Sequence, residues 1–351
     1  MGKIRMNAGV GTLFVAMLSY LAVAVASVAG YFVASIFGWD LEIAATGSAA
    51  VVALLIIAAL GGASWLHPDS EAVFDAFDFM WWIIVVSFVL MTWDLFDYVA
   101  SGSVVPAGWV GRIVNMALLS LAIGISEECM YRGALFGGLL ACFGGSRKGL
   151  FVAVGIVSLA FGCAHVTLDD FDLNNWLTIV QGLLKICQTG IYSVMLCAVV
   201  LKTKNFIGAA LVHALDDFLL FLVPFALFGE TFETEYVAQG TDEAIATIIL
   251  YLAVIALYLP VFVKAVKTLR AIELPQFGPF NHEVESHDLP PVPVELQDAR
   301  ATFAASPLPP QEAAFYPQQP QGEPSVPLSV EGFDTAGEQV VSDGASLHSC
   351  E

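Results

Sequence analysis

The chain alternates long apolar stretches with short polar connections, and this alternation is the strongest signal in the sequence. A transmembrane helix needs about 20 consecutive apolar residues to cross the hydrocarbon core of a bilayer. Eight stretches meet this requirement: residues 8–37, 43–66, 79–100, 109–143, 149–166, 174–201, 205–228 and 243–266. The pattern therefore predicts an all-α fold, a polytopic bundle of about eight transmembrane helices.

The overall composition agrees with a membrane protein and excludes two other classes. Of the 351 residues, 58% are apolar and 13% are charged, whereas soluble domains average about 45–50% apolar and about 25% charged residues. Such a chain cannot cover a water-facing surface with polar groups. The net charge of −20 argues against nucleic acid as a partner, because nucleic-acid binding needs a basic surface. The predicted surroundings are the lipid bilayer.

The C-terminal part of the chain has a different composition from the rest. Residues 271–351 contain 13 of the acidic residues, a single basic residue (Arg300), and 12 of the 16 prolines. Low hydrophobicity, high charge and dense proline are typical of a disordered segment. We therefore predict a transmembrane domain over residues 1–270 and a disordered, acidic, proline-rich tail over residues 271–351.

The basic residues predict the orientation of the bundle. Short cytoplasmic connections carry an excess of lysine and arginine. With eight spans, four basic clusters fall on the same side of the membrane: Lys3 and Arg5; Arg147 and Lys148; Lys202 and Lys204; and Lys264, Lys267 and Arg270. The sequence thus predicts a multi-pass protein of the cell membrane with both termini in the cytoplasm.

Ionisable residues inside the apolar stretches are costly and mark functional sites by default. Asp94, Asp97 and Arg112 lie near predicted helix ends, where a long or terminal side chain can reach the interface. Lys185 lies deeper, with no acid one helical turn away, and the sequence assigns it no role. The remaining members of the set are Glu127, Glu128, Arg132, His165, His213, Asp216 and Asp217.

The fourth span carries two adjacent glutamates with different expected environments. Glu128 and Arg132 are four residues apart with the acid first, which is the favourable order for an ion pair on a helix. Glu127 is rotated from Glu128 by about 100° and has no such partner. A structural ion pair accounts for Glu128 and Arg132 but leaves Glu127 as an unpaired acid in hydrocarbon, which makes it a candidate for chemistry.

Two histidines, His165 and His213, are the only ones within the predicted spans, and Asp217 follows His213 by one helical turn. A carboxylate beside neutral imidazoles can act as a general base towards water. Glu127, His165 and His213 are also a ligand set known from catalytic zinc sites. Asp217 would orient His213 in either case. Both readings indicate hydrolysis, and the choice between no cofactor and a divalent metal such as zinc stays open.

At these residues the sequence resembles the CAAX-protease and bacteriocin-processing family of intramembrane proteases, also called the Abi family. That family carries three separated signatures: EExxxR, FxxxH and HxxxN. This chain has Glu127-Glu128…Arg132, then Phe161…His165, then His213…Asp217, in the same order and on three different spans. The resemblance covers about residues 109–222.

The resemblance implies an intramembrane endopeptidase that cuts a membrane-associated peptide or protein. It implies that Glu127 activates the water with assistance from His165, and that His213 and the residue at Asp217 steady the oxyanion. Glu128 and Arg132 would hold these groups in place. Asp217 departs from the more usual asparagine, and because an aspartate donates no hydrogen bond unless protonated, it could instead brace His213 or bind a metal.

The mechanism of the family is described either as that of a glutamate protease or as that of a metalloprotease. The alternative to an enzyme is a non-catalytic membrane protein: a proton-coupled transporter, or a bacteriocin-immunity or scaffold protein.

Counting along the spans places Glu127 and His213 near mid-membrane but His165 near the outer end of its helix. Convergence therefore requires a tilt, kink or displacement, with Gly155 and Gly162 as candidates for close helix packing.

Overall fold

The computed structural model of the protein describes residues 8–167, 171–172, 175–231 and 236–274. These residues all lie within one compact unit, Met1–Asp288, and a second unit, Leu289–Glu351, lies outside the described residues. The first basic cluster, Lys3 and Arg5, and nearly all of the predicted acidic tail also lie outside them. The domain boundary at residue 270 stays a prediction.

The predicted all-α class is confirmed, because every regular element in the described ranges is a helix. Two of the helices continue through a wider, π-helical turn, Glu128–Leu135 after α4 and Leu222–Leu227 after α8. A short 3₁₀ segment, Gly62–Leu66, follows α2. The α-helices are α1 Ala8–Phe37, α2 Leu41–Ala59, α3 Ser70–Ala100, α4 Trp109–Glu127, α5 Phe136–Phe143, α6 Arg147–Cys163, α7 Trp176–Thr203, α8 Phe206–Phe221 and α9 Thr241–Ala271.

Polar residues at the predicted connections start several of these helices. Asp40 accepts a hydrogen bond from the backbone N–H of Ile43 at the start of α2, over 3.0 Å. Ser146 and Asn205 cap α6 and α8 in the same way. Such caps satisfy N–H groups that have no partner within the helix. The helix starts are therefore encoded locally.

Seven helices in the described part of the chain are long and apolar enough to cross a membrane. Large apolar side chains such as Phe32, Trp93 and Phe96 are more than 60% exposed on their outer faces, as expected of surfaces that face lipid. These features support an integral membrane protein. The predicted fifth span, 149–166, is the exception, because its helix α6 has only 17 residues.

The helix directions define two ends of the bundle. At one end, Lys202 at the end of α7 forms an ion pair of 3.0 Å with Asp75 of α3, and Arg147 donates hydrogen bonds to the Leu269 and Ile272 carbonyls near the end of α9. We call it the basic end, although the start of α3 adds acidic residues to it. The lysines and arginines found there are Arg147, Lys148, Lys202, Lys204, Lys264, Lys267 and Arg270.

The opposite end is joined by different contacts. Arg112 near the start of α4 donates hydrogen bonds to the carbonyls of Ala226 and Leu227 over 3.0 and 2.9 Å. Tyr98 near the end of α3 donates to the carboxylate of Glu230. The chain thus separates most of its lysines and arginines from this end, in the arrangement that the sequence predicts.

Candidate active site

The central feature of the candidate site is the π-helical turn Glu128–Leu135 between α4 and α5. A π-helical turn accommodates about one extra residue and occurs often at functional sites. The turn begins immediately after Glu127 and contains Glu128, Cys129, Met130 and Arg132 as buried residues. Nothing in the local sequence predicted this widening of the helix.

Glu128 and Arg132 form the predicted ion pair, with Nη1 of Arg132 2.8 Å from Oε1 of Glu128 and both side chains 0% exposed. Oε1 of Glu128 also lies 2.9 Å from Nδ1 of His213. The guanidinium carbon of Arg132 stands 4.2 Å from the centroid of the Phe161 ring. Oε1 of Glu128 therefore contacts both a guanidinium and an imidazole nitrogen, whereas Oε2 has no hydrogen-bond partner among the described residues.

Glu127 has a different environment from its neighbour. Its side chain is 30% exposed, and Oε2 lies 3.8 Å from Nε2 of His213. Within the described residues Oε2 is buried and has no hydrogen-bond partner. The two adjacent glutamates thus differ. The Glu128 side chain is buried and forms an ion pair, whereas the Glu127 side chain is partly exposed.

His213 lies between these two glutamates on α8. Because the ionised carboxylate of Glu128 can only accept a hydrogen bond, Nδ1 of His213 is the donor in their 2.9 Å contact. This leaves Nε2 facing the space between Glu127 and Asp217, whose Oδ2 is 3.7 Å away. Both distances from Nε2 are longer than a direct hydrogen bond, and a water molecule can bridge separations of this size. Asp217 stands beside the imidazole, where it can brace the ring.

His165 joins the cluster through Phe161. Nδ1 of His165 donates to the Phe161 carbonyl over 2.7 Å, which makes Nε2 the ring nitrogen that can accept a proton. The Phe161 ring centroid is 4.6 Å from that of His165 and 5.9 Å from that of His213. The Phe161 side chain therefore lies between the two imidazoles and brings them into one site.

The early end of α6 explains how His165 reaches this depth. A Cβ atom added at Gly162 would lie 2.5 Å from the carbonyl oxygen of Ile186, so α6 packs directly on the backbone of α7 at this level. The helix ends one residue later, at the exposed Cys163. The expectation of close packing is confirmed for Gly162 and wrong for Gly155, which has open space around its Cβ position.

Several residues near the site were not assigned from the sequence. Asp216 accepts a hydrogen bond from Ser87 of α3, and the Tyr192 ring centroid lies 5.6 Å from that of His213. Lys185, left without a role, places Nζ 3.8 Å from the centroid of the Tyr236 ring. Among these, only Asp216 and Lys185 carried a signal, as ionisable residues within a predicted span.

The described residues contain no group of three or more histidine, cysteine, aspartate or glutamate side chains arranged to hold a metal ion. The set considered from the sequence, Glu127, His165 and His213, therefore does not fit a metal in this arrangement.

The chain was compared with protein-family models, curated proteins and solved structures. Residues 108–219 match the family model described as type II CAAX prenyl endopeptidase Rce1-like. The matched segment contains all six residues of the cluster: Glu127, Glu128, Arg132, His165, His213 and Asp217. No match was found among curated proteins or among solved structures.

Proposed function

We propose that this chain, whose residues 108–219 belong to the Rce1-like family of CAAX endopeptidases, hydrolyses peptide bonds with a water molecule activated by Glu127. The family membership supports an intramembrane endopeptidase that acts on a membrane-associated peptide or protein. The roles proposed for the individual residues are those that the resemblance implies, and the contacts within the site support them.

The observation that carries the proposal is the difference between the two adjacent glutamates. Glu128 is completely buried and bound to Arg132 and His213. Glu127 is 30% exposed and lies 3.8 Å from the nearest ring nitrogen of His213. A general base must be within reach of the proton that it removes, directly or through one water. Glu127 satisfies this requirement because its side chain is partly exposed and no direct hydrogen bond holds its Oε2 among the described residues.

The proposed reaction starts with proton transfer from water to the carboxylate of Glu127. The resulting hydroxide attacks the carbonyl carbon of the scissile bond, and a tetrahedral intermediate forms. Nε2 of His213, in the imidazolium form, donates a hydrogen bond to the oxyanion, which is the type of contact that stabilises such intermediates. The carboxylate of Asp217 also lies beside Nε2 and helps to hold the His213 ring in place.

Collapse of the intermediate breaks the C–N bond. The proton held by Glu127 passes to the leaving nitrogen, so that the products are a carboxylic acid and an amine, which become a carboxylate and an ammonium when the acid proton moves to the amine. His165 assists this step, because its Nδ1–H is held by the Phe161 carbonyl and its Nε2 can accept a proton and pass it on. Glu128 and Arg132 keep His213 in place throughout.

The proposed orientation places both termini and the basic end of the bundle in the cytoplasm. Lysines and arginines of α6, α7 and α9 meet at that end, and such residues are retained on the cytoplasmic side during insertion.

The experiment that tests the proposed activity compares new N-termini of membrane proteins in cells that express wild-type protein or Glu127→Gln. Glu42→Gln, an exposed acid at the opposite end, is the matched control. Glu127→Gln cells are expected to lose a set of N-termini that Glu42→Gln cells retain, and full retention in both would overturn the proposal.

A further inference from the structure

A cavity of about 520 Å³ lies at the basic end of the bundle, away from the candidate active site. Its described lining comes from α3, from the end of α7 and Lys204 after it, and from the end of α9. Leu201, in this lining, follows Tyr192 beside His213 by nine residues, which is about 14 Å of helix. Residues 195–201 of that stretch are each at most 2% exposed. The cavity is therefore a separate site from the catalytic cluster.

The described lining of the cavity carries more positive than negative charge. It contains three lysines, Lys202, Lys204 and Lys264, and a single acid, Glu273. Lys202 forms an exposed ion pair with Asp75 of α3. Neither Lys204 nor Lys264 forms an ion pair with any residue of the described ranges. These two ammonium groups are therefore available to an anionic ligand.

Lys264 is held in place by neutral groups. Its Nζ donates hydrogen bonds of 3.3 Å to the carbonyls of Asp78 and Phe79, and it lies 4.4 Å from the centroid of the Phe79 ring. The adjoining wall is also fixed, because Arg147 of α6 donates a hydrogen bond of 2.6 Å to the carbonyl of Ile272. The contacts of Lys264 orient its ammonium group without neutralising its charge.

Lys204 carries its charge at a position whose backbone conformation favours other residues. It is the C-cap of α7, with φ 51° and ψ 36° in the left-handed region. Within the described ranges it is the only residue other than glycine with a positive φ. Glycine or asparagine usually takes this position, because the Cβ atom of most residues is crowded in the left-handed conformation. A lysine here is unfavourable for the backbone, which indicates that its charge has a use.

The cavity combines these ammonium groups with apolar walls at the boundary of the membrane. Phe79, Leu201 and Ile272 belong to its lining. The cavity lies where α7 and α9, two of the candidate membrane spans, end at Thr203 and Ala271. Basic pockets between transmembrane helices bind the headgroups of anionic lipids. A free phosphate ion could contact the lysines, but it has no apolar part to contact these walls.

From these observations we propose that the cavity binds the phosphate headgroup of an anionic membrane lipid, with Lys204 and Lys264 in contact with the phosphate. Lys202 adds positive charge at the rim, and the acyl chains extend from the apolar walls into the bilayer. The bound lipid joins the ends of α7 and α9 to α3 at the membrane surface. This site depends neither on the proposed peptidase activity nor on which side of the membrane the basic end faces.

The proposal is tested on the full-length protein in a neutral detergent, with phosphatidylglycerol, phosphatidylcholine or inorganic phosphate added. Native mass spectrometry measures the affinity for each lipid, and thermal unfolding measures the stabilisation by each additive. Lys204→Asn and Lys264→Gln each remove one positive charge from the cavity. Lys267→Gln is the matched control, because Lys267 is an exposed lysine of α9 that is not among the described lining residues.

We expect wild-type protein and Lys267→Gln to bind phosphatidylglycerol about tenfold or more tightly than phosphatidylcholine. Lys204→Asn and Lys264→Gln should each weaken the binding of phosphatidylglycerol by about fivefold and leave that of phosphatidylcholine unchanged. Asparagine suits the left-handed position, so Lys204→Asn should unfold no earlier than wild-type protein when no lipid is added. This variant carries the test by itself if Lys264→Gln does not fold.

Three results would overturn the proposal. The first is a wild-type protein without preference for phosphatidylglycerol, or a preference that Lys204→Asn leaves unchanged. The second is an equal loss of affinity in Lys267→Gln, which would show that the general charge of the surface attracts the lipid. The third is an equal increase in Tm with inorganic phosphate and with phosphatidylglycerol, which would make the occupant a free phosphate ion.

Discussion

Nδ1 of His213 lies 2.9 Å from Oε1 of Glu128, and this contact joins α8 to the π-helical turn that follows α4. The same carboxylate oxygen receives Nη1 of Arg132 over 2.8 Å. The buried carboxylate of Glu128 thus pairs with the positive charge of Arg132 and orients the imidazole of His213. As a result, the other ring nitrogen of His213 faces Glu127.

Replacement of Glu128 is expected to destabilise the protein. Glu128→Gln leaves the guanidinium of Arg132, which is 0% exposed in the native protein, without an anionic partner. Removal of one partner of a buried ion pair costs about 3–5 kcal/mol. The control is Lys202→Gln, which breaks an ion pair whose side chains are 39% and 50% exposed and which should cost about 1 kcal/mol or less. Thermal unfolding in detergent compares the two, and equal shifts in Tm would contradict the structural role of Glu128.

Replacement of Glu127 is expected to abolish activity without loss of stability. Its side chain is partly exposed and makes no ion pair shorter than 3.8 Å, so Glu127→Gln should change the free energy of unfolding by about 0.5 kcal/mol or less. Loss of a general base lowers the rate by about 10²–10⁴-fold. Peptide cleavage and thermal unfolding are measured on the same preparation. If Glu127→Gln unfolds as early as Glu128→Gln, Glu127 is a structural residue and not the base.

Asp217 is expected to tolerate asparagine but not alanine. An asparagine side chain keeps an oxygen that can contact Nε2 of His213, 3.7 Å from Oδ2 in the native protein, and adds an N–H₂ group that can donate to an oxyanion. We expect Asp217→Asn to retain cleavage within about tenfold, and Asp217→Ala to lose about 10²–10³-fold, as when an oxyanion contact is removed. Equal loss in both variants would show that the negative charge of Asp217 is required.

Two glycines of α6 provide a matched pair. A Cβ atom at Gly162 would lie 2.5 Å from the Ile186 carbonyl oxygen, whereas one at Gly155 meets nothing within 4 Å. Gly162→Ala should push α6 from α7, move His165, reduce cleavage and cost about 1–3 kcal/mol of stability. Gly155→Ala should be neutral or slightly stabilising, because alanine favours a helix over glycine by about 1 kcal/mol. Unchanged cleavage in Gly162→Ala would contradict the role of this contact in placing His165.

The sequence predicted those features of the molecule that depend on local pattern. Apolar stretches predicted seven of the candidate spans, all but the fifth of the eight expected, and the spacing of Glu128 and Arg132 predicted their ion pair. The same spacing predicted no ion-pair partner for Glu127 on its own helix, and in the structure Oε2 of Glu127 has no hydrogen-bond partner among the described residues. The roles of individual residues in catalysis remain predictions.

The features that the sequence did not predict depend on contacts between distant segments. Lys185 has no acid one turn away on its own helix, and its closest aromatic contact, Tyr236, comes from the connection before α9. The contact of Tyr192 with His213 depends on how α7 and α8 are aligned. Helix alignment follows from tertiary packing, and the periodicity of a single span does not contain it.

The wider turn at Glu128–Leu135 also divides one membrane span into two halves with different neighbours. Before the turn, Gly124 of α4 packs on the backbone of Ala210 in α8; after it, Gly138 of α5 packs on the backbone of Leu13 in α1. If the same residues adopted ordinary α-helical geometry, without the wider turn, one half would rotate relative to the other by about 100°. The span would stay helical and still cross the bilayer, yet it could no longer fit both neighbours at once. The wider helical geometry of this short segment is therefore a requirement of the fold.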